Sequence, residues 1–178
     1  MPAPPLTEAE VAAAEREFGV VFPREYRDFL LTAGAGGGRI TTLVHGPDGW
    51  FWAGDDRTDF GRLAEPFRDR EAIRRQWAEL AAREPSRDCR PVEWQAWDDE
   101  CAVVHARETA GALFLSTDGV SDVWLAISGP HAGTLWFDMR ATADLIVPLT
   151  SPAGRPLTFS EWRAADERAL YARLYRVG

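Results

Sequence analysis

The sequence contains no lysine, so all 20 of its basic residues are arginines, a bias that is typical of GC-rich coding. Cysteine is also scarce: Cys89 and Cys101 are too few for a disulfide framework and lack the CxxC spacing of a metal site. This pattern predicts two free thiols in a reducing compartment. No apolar run approaches the roughly 20 residues of a membrane span, and the opening MPAPPLTEAE lacks the basic and apolar segments of a signal peptide. We therefore expect a soluble, cytoplasmic protein with no membrane partner.

The residues that are present indicate one folded domain over positions 1–178. The chain is 46% hydrophobic and contains eight tryptophans, which is enough to build a core. Its net charge of −8 argues against nucleic acid as the main partner. The charge is uneven, since positions 62–91 hold eight arginines and six acids, for a charge of +2, whereas both flanking parts are negative. An acidic surface favours a basic partner, or serves only to keep the protein soluble.

Helix signals stand at both ends of the chain. Thr7 and Glu10 form a capping box before an apolar stripe at helical spacing, and Pro23 suits the start of a second helix. A third helix is predicted to begin after its cap Asp69, and a last one to cover Thr158–Tyr175, opened by a second capping box of Thr158 and Glu161. Short runs of β-forming residues predict strands at Ile40–Val44, Trp50–Trp52, Cys101–Ala106, Ala112–Ser116, Val123–Ile127, Thr134–Phe137 and Leu145–Leu149. This order predicts an α+β domain whose mixed or mainly antiparallel sheet is flanked by N-terminal helices and a C-terminal helix.

The sequence contains no specific catalytic pattern. The glycines of positions 34–38 follow a helix rather than a strand, so they do not form a phosphate-binding loop. None of the three histidines has metal-ligand spacing. Cys101 and His105 lie on a predicted strand, where residues four apart are about 13 Å from each other, beyond the reach of a catalytic pair. The polar stretch of positions 116–138 is interpreted as two strands joined by a loop. The sequence thus predicts no catalytic residue, cofactor or metal.

Two acidic clusters beside tryptophans are the candidate partner-binding residues. The first is Asp55, Asp56 and Asp59, near Trp50 and Trp52. The second is Asp98, Asp99 and Glu100, near Trp94 and Trp97. Both are predicted to lie in polar loops, where solvated carboxylates could contact a basic partner and tryptophan could anchor it. The alternative is that these tryptophans belong to the core.

Two stretches of the chain resemble the SUKH superfamily of Smi/Knr-type domains. The first is EFGVVFPREYRDFLLTAGAGGG at positions 17–38, with its Gly, Phe-Pro, aromatic, Phe-Leu and glycine-rich exit in order. The second is GALFLSTDGVSDVWLAISGPHAGTLWFD at positions 111–138. The resemblance implies an α+β fold and a non-catalytic protein-binding role. Its bacterial members are typically immunity proteins that neutralise a secreted toxin domain, often a nuclease or a deaminase. Its fungal members are intracellular regulators, so a regulatory or scaffold protein is the alternative.

Overall fold

Helices and two antiparallel sheets make up the structure, which confirms the predicted α+β class. The computed structural model describes residues 3–68, 70–86, 88, 90–143, 146–166 and 170–171. The helices are α1 (Glu8–Phe18), α2 (Arg24–Thr32), α3 (Arg70–Ala81), α4 (Pro91–Arg107), α5 (Arg140–Ala143) and α6 (Phe159–Ala164). The strands are β1 (Thr42–Gly46), β2 (Gly49–Ala53), β3 (Ala112–Thr117), β4 (Asp122–Ala126), β5 (Leu135–Asp138) and β6 (Ile146–Pro148).

The strands form a hairpin and a four-stranded sheet. The hairpin pairs β1 with β2, and the larger sheet has the order β3-β4-β5-β6 with every neighbouring pair antiparallel. Two loop residues occupy the outer edge of β3: the Thr41 N–H donates to the Leu115 carbonyl over 2.9 Å, and the Thr58 hydroxyl accepts from the Phe114 N–H over 2.9 Å. These bonds satisfy backbone groups that an edge strand would otherwise expose.

The main core lies between one face of the large sheet and the helices α1, α2 and α6. Alternate residues of β3, β4 and β5 contribute to it, because successive side chains of a strand point to opposite faces. The Trp52 indole N–H donates to the Tyr26 hydroxyl over 2.7 Å inside this core. Burial raises the pKa of Tyr26 well above its ordinary value, although the Trp52 hydrogen bond opposes this effect. Tyr26 therefore stays neutral in the folded protein.

The opposite face of the large sheet carries a second, smaller core. Its members are Phe67, Ala112, Phe114, Trp124, Ala126, Trp136 and Ile146. Burial on both faces accounts for the nearly continuous apolar runs of β3, β4 and β5. The Phe67 N–H donates to the Ser128 carbonyl over 3.0 Å, and this bond holds the short segment around Phe67 beside the sheet.

Both predicted capping boxes are present. The Thr7 side chain bonds the Glu10 N–H and the Glu10 carboxylate bonds the Thr7 N–H, and Thr158 and Glu161 repeat the arrangement at α6. The last helix is shorter than predicted, because Ala165 has an extended ψ of 148° and α6 ends at Ala164. Within the rest of that predicted helix, positions 165–166 are not helical and positions 170–171 are, whereas positions 167–169 and 172–175 lie outside the described residues, as do the Asp69 cap, Leu145 and Cys89.

The predicted strand Cys101–Ala106 is wrong, because these residues belong to α4. The polar loop predicted for Asp98–Glu100 is also part of this helix. No described residue of α4 is fully buried, and its apolar residues do not form one clear stripe, because the exposed Val92 and Val103 lie away from the side of the half-buried Trp94 and Trp97. The valines at 103 and 104 suggested a strand instead. Pro91 at the first helical turn was the available signal for a helix.

Candidate functional site

The helix α4 packs on α3 through one side and exposes the other. The Trp97 indole N–H donates to the Leu80 carbonyl of α3 over 3.0 Å, and Trp94 contacts Trp97 edge to face with ring centroids 5.4 Å apart. Both tryptophans are half-buried. Residues 92, 96, 99 and 103 are exposed and share one side of the helix, because they are spaced by three or four positions. Two of them are valines, with 65% and 45% of their surface exposed.

The acidic residues of α4 differ in how far they are already paired. Glu100 makes an ion pair of 2.9 Å with Arg83. Asp98 and Asp99 are exposed, and neither makes an ion pair with any residue that the structure describes. Asp99 only accepts a hydrogen bond of 2.8 Å from the neutral Gln95 amide. These two adjacent carboxylates are therefore available to a cation from outside the protein.

The other acidic cluster, in the loop at positions 55–59, is mostly engaged within the protein. One oxygen of Asp55 accepts the N–H groups of Arg57 and Thr58 over 2.9 and 3.0 Å, which fixes the turn. Asp59 lies 3.1 Å from the Arg62 guanidinium. Asp56 is the most open of the three, with 90% of its side chain exposed, although Arg57 lies 3.7 Å away. This loop consequently presents less unpaired charge than α4.

The tryptophans near the loop belong to the core. Trp50 and Trp52 are 8% and 1% exposed, which matches the alternative that they are structural. Phe18 and Phe60 stack on Trp52 with ring centroids 4.7 and 5.7 Å from it. Among the described residues, no hydrogen bond, ion pair or ring contact joins the loop to α4. The structure thus brings Trp97, Asp98, Asp99 and Glu100 together on one helix and leaves the loop cluster separate.

One known protein family matches most of the chain. The model of the SMI1 / KNR4 family (SUKH-1) matches residues 5–144. The chain belongs to the SMI1 / KNR4 family. No curated protein and no solved structure matches it. Membership in the SMI1 / KNR4 family suggests a protein-binding role of the immunity or Smi/Knr type, and the matched range includes both α4 and the loop at positions 55–59.

A buried ionic cluster of this SMI1 / KNR4 domain was not predicted from the sequence. Glu108, at the C-terminal end of α4, and Asp138, at the end of β5, are 5% and 6% exposed. Arg140 bridges them, with a bond of 2.6 Å to each carboxylate. Burial opposes the charge of Arg140, but the carboxylates of Asp138 and Glu108 more than offset it and raise its pKa. The sequence does show an excess of positive charge at positions 62–91, but none of the three residues of this cluster lies in that stretch.

The helical geometry also changes the relation between Cys101 and His105. They lie one turn apart on α4 rather than along a strand. His105 is 64% exposed, and its Nδ1 lies 3.7 Å from a carboxylate oxygen of Glu108. Burial and then the negative charges of Asp98 and Glu100 raise the pKa of the Cys101 thiol, which keeps it in the less reactive protonated form.

The described residues contain no group of three or more His, Cys, Asp or Glu side chains placed to hold a metal ion. Within the same residues, no helix combines the length and the apolar character that crossing a bilayer requires.

Proposed function

We propose that this protein is a cytoplasmic, non-catalytic immunity protein that binds and neutralises a toxin domain of a bacterial polymorphic toxin system. Family membership supports a protein-binding role. The observation that carries the finer proposal is the exposed side of α4. There, Asp99 lies on the same side as the exposed Val92 and Val103, Asp98 lies on the adjacent flank, and neither carboxylate has a cationic partner among the described residues. The partner would be basic, as expected of a nuclease- or deaminase-type domain that must approach nucleic acid.

The chemistry of this surface resembles a binding interface more than an ordinary helix surface. Unpaired carboxylates attract a basic partner and speed its encounter. The exposed Val92 and Val103 provide apolar area on either side of Asp99. Trp97 lies on the other side of the helix, where its bond to the Leu80 carbonyl holds α4 on α3. Asp56 is a second contact of the same sign, whereas Asp55, Asp59 and Glu100 act first through their partners within the protein.

The first experiment identifies the partner and then tests the surface. Tagged protein is recovered from its native cells, and a co-purified basic domain is then expressed in a bacterial host with and without this protein. We expect growth arrest that the wild-type protein relieves. The double variant D98R/D99R should bind the domain at least about 100-fold more weakly, because each reversed charge replaces an attraction by a repulsion.

The matched control reverses two other exposed acids. The variant D28R/D48R changes the net charge by the same amount at exposed positions of α2 and of the β1–β2 turn, so it should keep the affinity within a few-fold. Equal losses of affinity in both variants would show that the effect comes from net charge alone and would contradict a specific α4 interface. Recovery of housekeeping or cell-wall proteins, without a toxic domain, would instead support the regulatory alternative.

A further inference from the structure

A cavity of about 170 Å³ lies between α3, the end of α4 and the start of β6. Arg70, Arg74 and Arg140 supply its charged walls, and its apolar walls come from Ile73, Trp77 and Ile146. Three guanidinium groups thus meet an aromatic ring and two branched aliphatic side chains. This concentration of positive charge stands out in a protein whose net charge is −8.

The carboxylates near this cavity are already engaged. Glu108 contributes to the wall, but one of its oxygens accepts the Trp77 indole N–H over 2.5 Å and the other accepts from Arg140 over 2.6 Å. Asp138 accepts from Arg140 Nε over 3.0 Å and from Nη2 over 2.6 Å. A guanidinium has five N–H donors, so one donor remains on each terminal nitrogen of Arg140. Its position is fixed while part of its hydrogen-bonding capacity stays open.

Arg70 is less satisfied than Arg140. Its Nε is buried and has no hydrogen-bond partner within the described part of the chain. A buried donor that is left unpaired is costly, so a ligand that accepts from it is favoured. Among the described residues, Arg74 makes only a long ion pair of 3.4 Å, with Glu71, and both side chains are largely exposed. Such a surface pair contributes little and leaves Arg74 able to contact an anion.

From these contacts we propose that the cavity binds a small organic acid, with its carboxylate at Arg70 and Arg74 and its apolar body against Trp77. The volume sets the size of the ligand, since a cavity of about 150 Å³ accommodates benzene. An acid with one aromatic ring, or a branched aliphatic acid of similar size, fits both the volume and the walls. Arg is suited to the carboxylate because its planar fork can donate two parallel hydrogen bonds. This site does not depend on the proposed toxin partner, because it binds an anion, whereas the exposed side of α4 would bind a basic protein.

The test follows the Trp77 indole N–H by NMR while benzoate is added to the whole protein. This N–H reports on the cavity directly, since it is bonded to Glu108 in the wall. We expect a saturable shift with benzoate and none with benzamide, which has the same ring but no charge. Replacing Arg70 in the R70Q variant should weaken benzoate binding about tenfold or more, the usual effect of losing a charge-assisted hydrogen bond.

The control variant is R75Q, which removes the same charge from an exposed residue of the same helix outside the cavity wall. It should leave the affinity within about twofold of the wild type. Three results would overturn the proposal: no saturable shift, equal shifts with benzoate and benzamide, or equal weakening by R70Q and R75Q. Equal binding of inorganic phosphate would overturn it as well, because the cavity would then select charge without an apolar body. An unchanged Trp77 signal in ligand-free R70Q shows that the variant is folded.

Discussion

The two capping boxes show how one residue changes the chemistry of another. Glu10 and Glu161 occupy equivalent positions, and each accepts a hydrogen bond from a backbone N–H three residues before it. Glu161 also accepts from Arg155, with one bond of 2.8 Å. The Arg155 hydrogen bond, followed by the Thr158 N–H, lowers the pKa of Glu161 to about 2. The pKa of Glu10 is lowered through Thr7 alone.

Replacing Arg155 should therefore separate these two glutamates. In the R155Q variant we expect the pKa of Glu161 to rise towards 4.5 and to stop below it, because the Thr158 N–H remains. Carboxyl-carbon NMR against pH measures both residues, and the pKa of Glu10 serves as the internal control. A Glu161 that titrates at the same pH in both proteins would contradict the assigned cause.

The sign of the pH dependence follows from the lowered pKa. A carboxylate with a depressed folded-state pKa stabilises the fold above its unfolded pKa and loses that contribution as pH falls towards the folded value. For Glu161 the relevant window runs from about 4.5 down to about 2. E161Q should be less stable than the wild type at neutral pH, and the difference should disappear at the acid end of this window.

At the scale of elements, one glycine holds three chain segments together. Gly111 has a φ of +74°, and a Cβ there would lie 2.1 Å from the Glu65 carbonyl oxygen. Its N–H donates to the Arg62 carbonyl over 3.0 Å, and its carbonyl accepts from the Ile127 N–H over 2.7 Å. The start of β3 is thereby fixed to the loop before α3 and to the end of β4.

Replacing Gly111 with alanine should lower the free energy of unfolding by more than its positive φ alone explains. Gly119 offers the comparison, because its φ is +95° and a Cβ there would meet nothing within 4 Å. We expect G119A to lower the free energy of unfolding by about 1 kcal/mol. G111A should lower it by at least about 2 kcal/mol more, because the methyl group overlaps fixed backbone. Urea unfolding measures both, and equal losses would show that the loop moves aside.

How far an element can be predicted depends on whether its signal is local. The capping box at Thr7 and the run of β-forming residues in β4 each lie within a few residues, so α1 and the central strands follow from the sequence. The helix α4 contacts mainly α3, so its pattern reflects one neighbouring helix rather than a core. The same limit applies to the site. The acidic residues are visible in the sequence as clusters, but which of them are already paired is not. Glu100 pairs with Arg83, which is distant in the sequence, and Asp59 pairs with the nearby Arg62 through the conformation of the folded loop.

On the scale of the whole molecule, the parts of the protein are buried to unequal degrees. The sheet is buried on both faces, and residues such as Leu125 and Phe137 have no exposed surface. The pair α3 and α4 is different: α4 has no fully buried residue and α3 has only Leu80 among those described. Regions with few buried apolar contacts open locally at a lower free energy than global unfolding.

Hydrogen exchange should therefore distinguish α4 from the rest of the fold. We expect the β4 amides to exchange with the free energy of global unfolding, and the α4 amides to exchange at least about 2 kcal/mol more easily. The control is α1, which is shorter than α4 but anchors Val11 and Ala14 in the core with no exposed surface. Its central amides should be protected more than those of α4. Equal protection of α4 and β4 would mean that the helical pair unfolds only with the sheet, and that the surface proposed for partner binding is as rigid as the core.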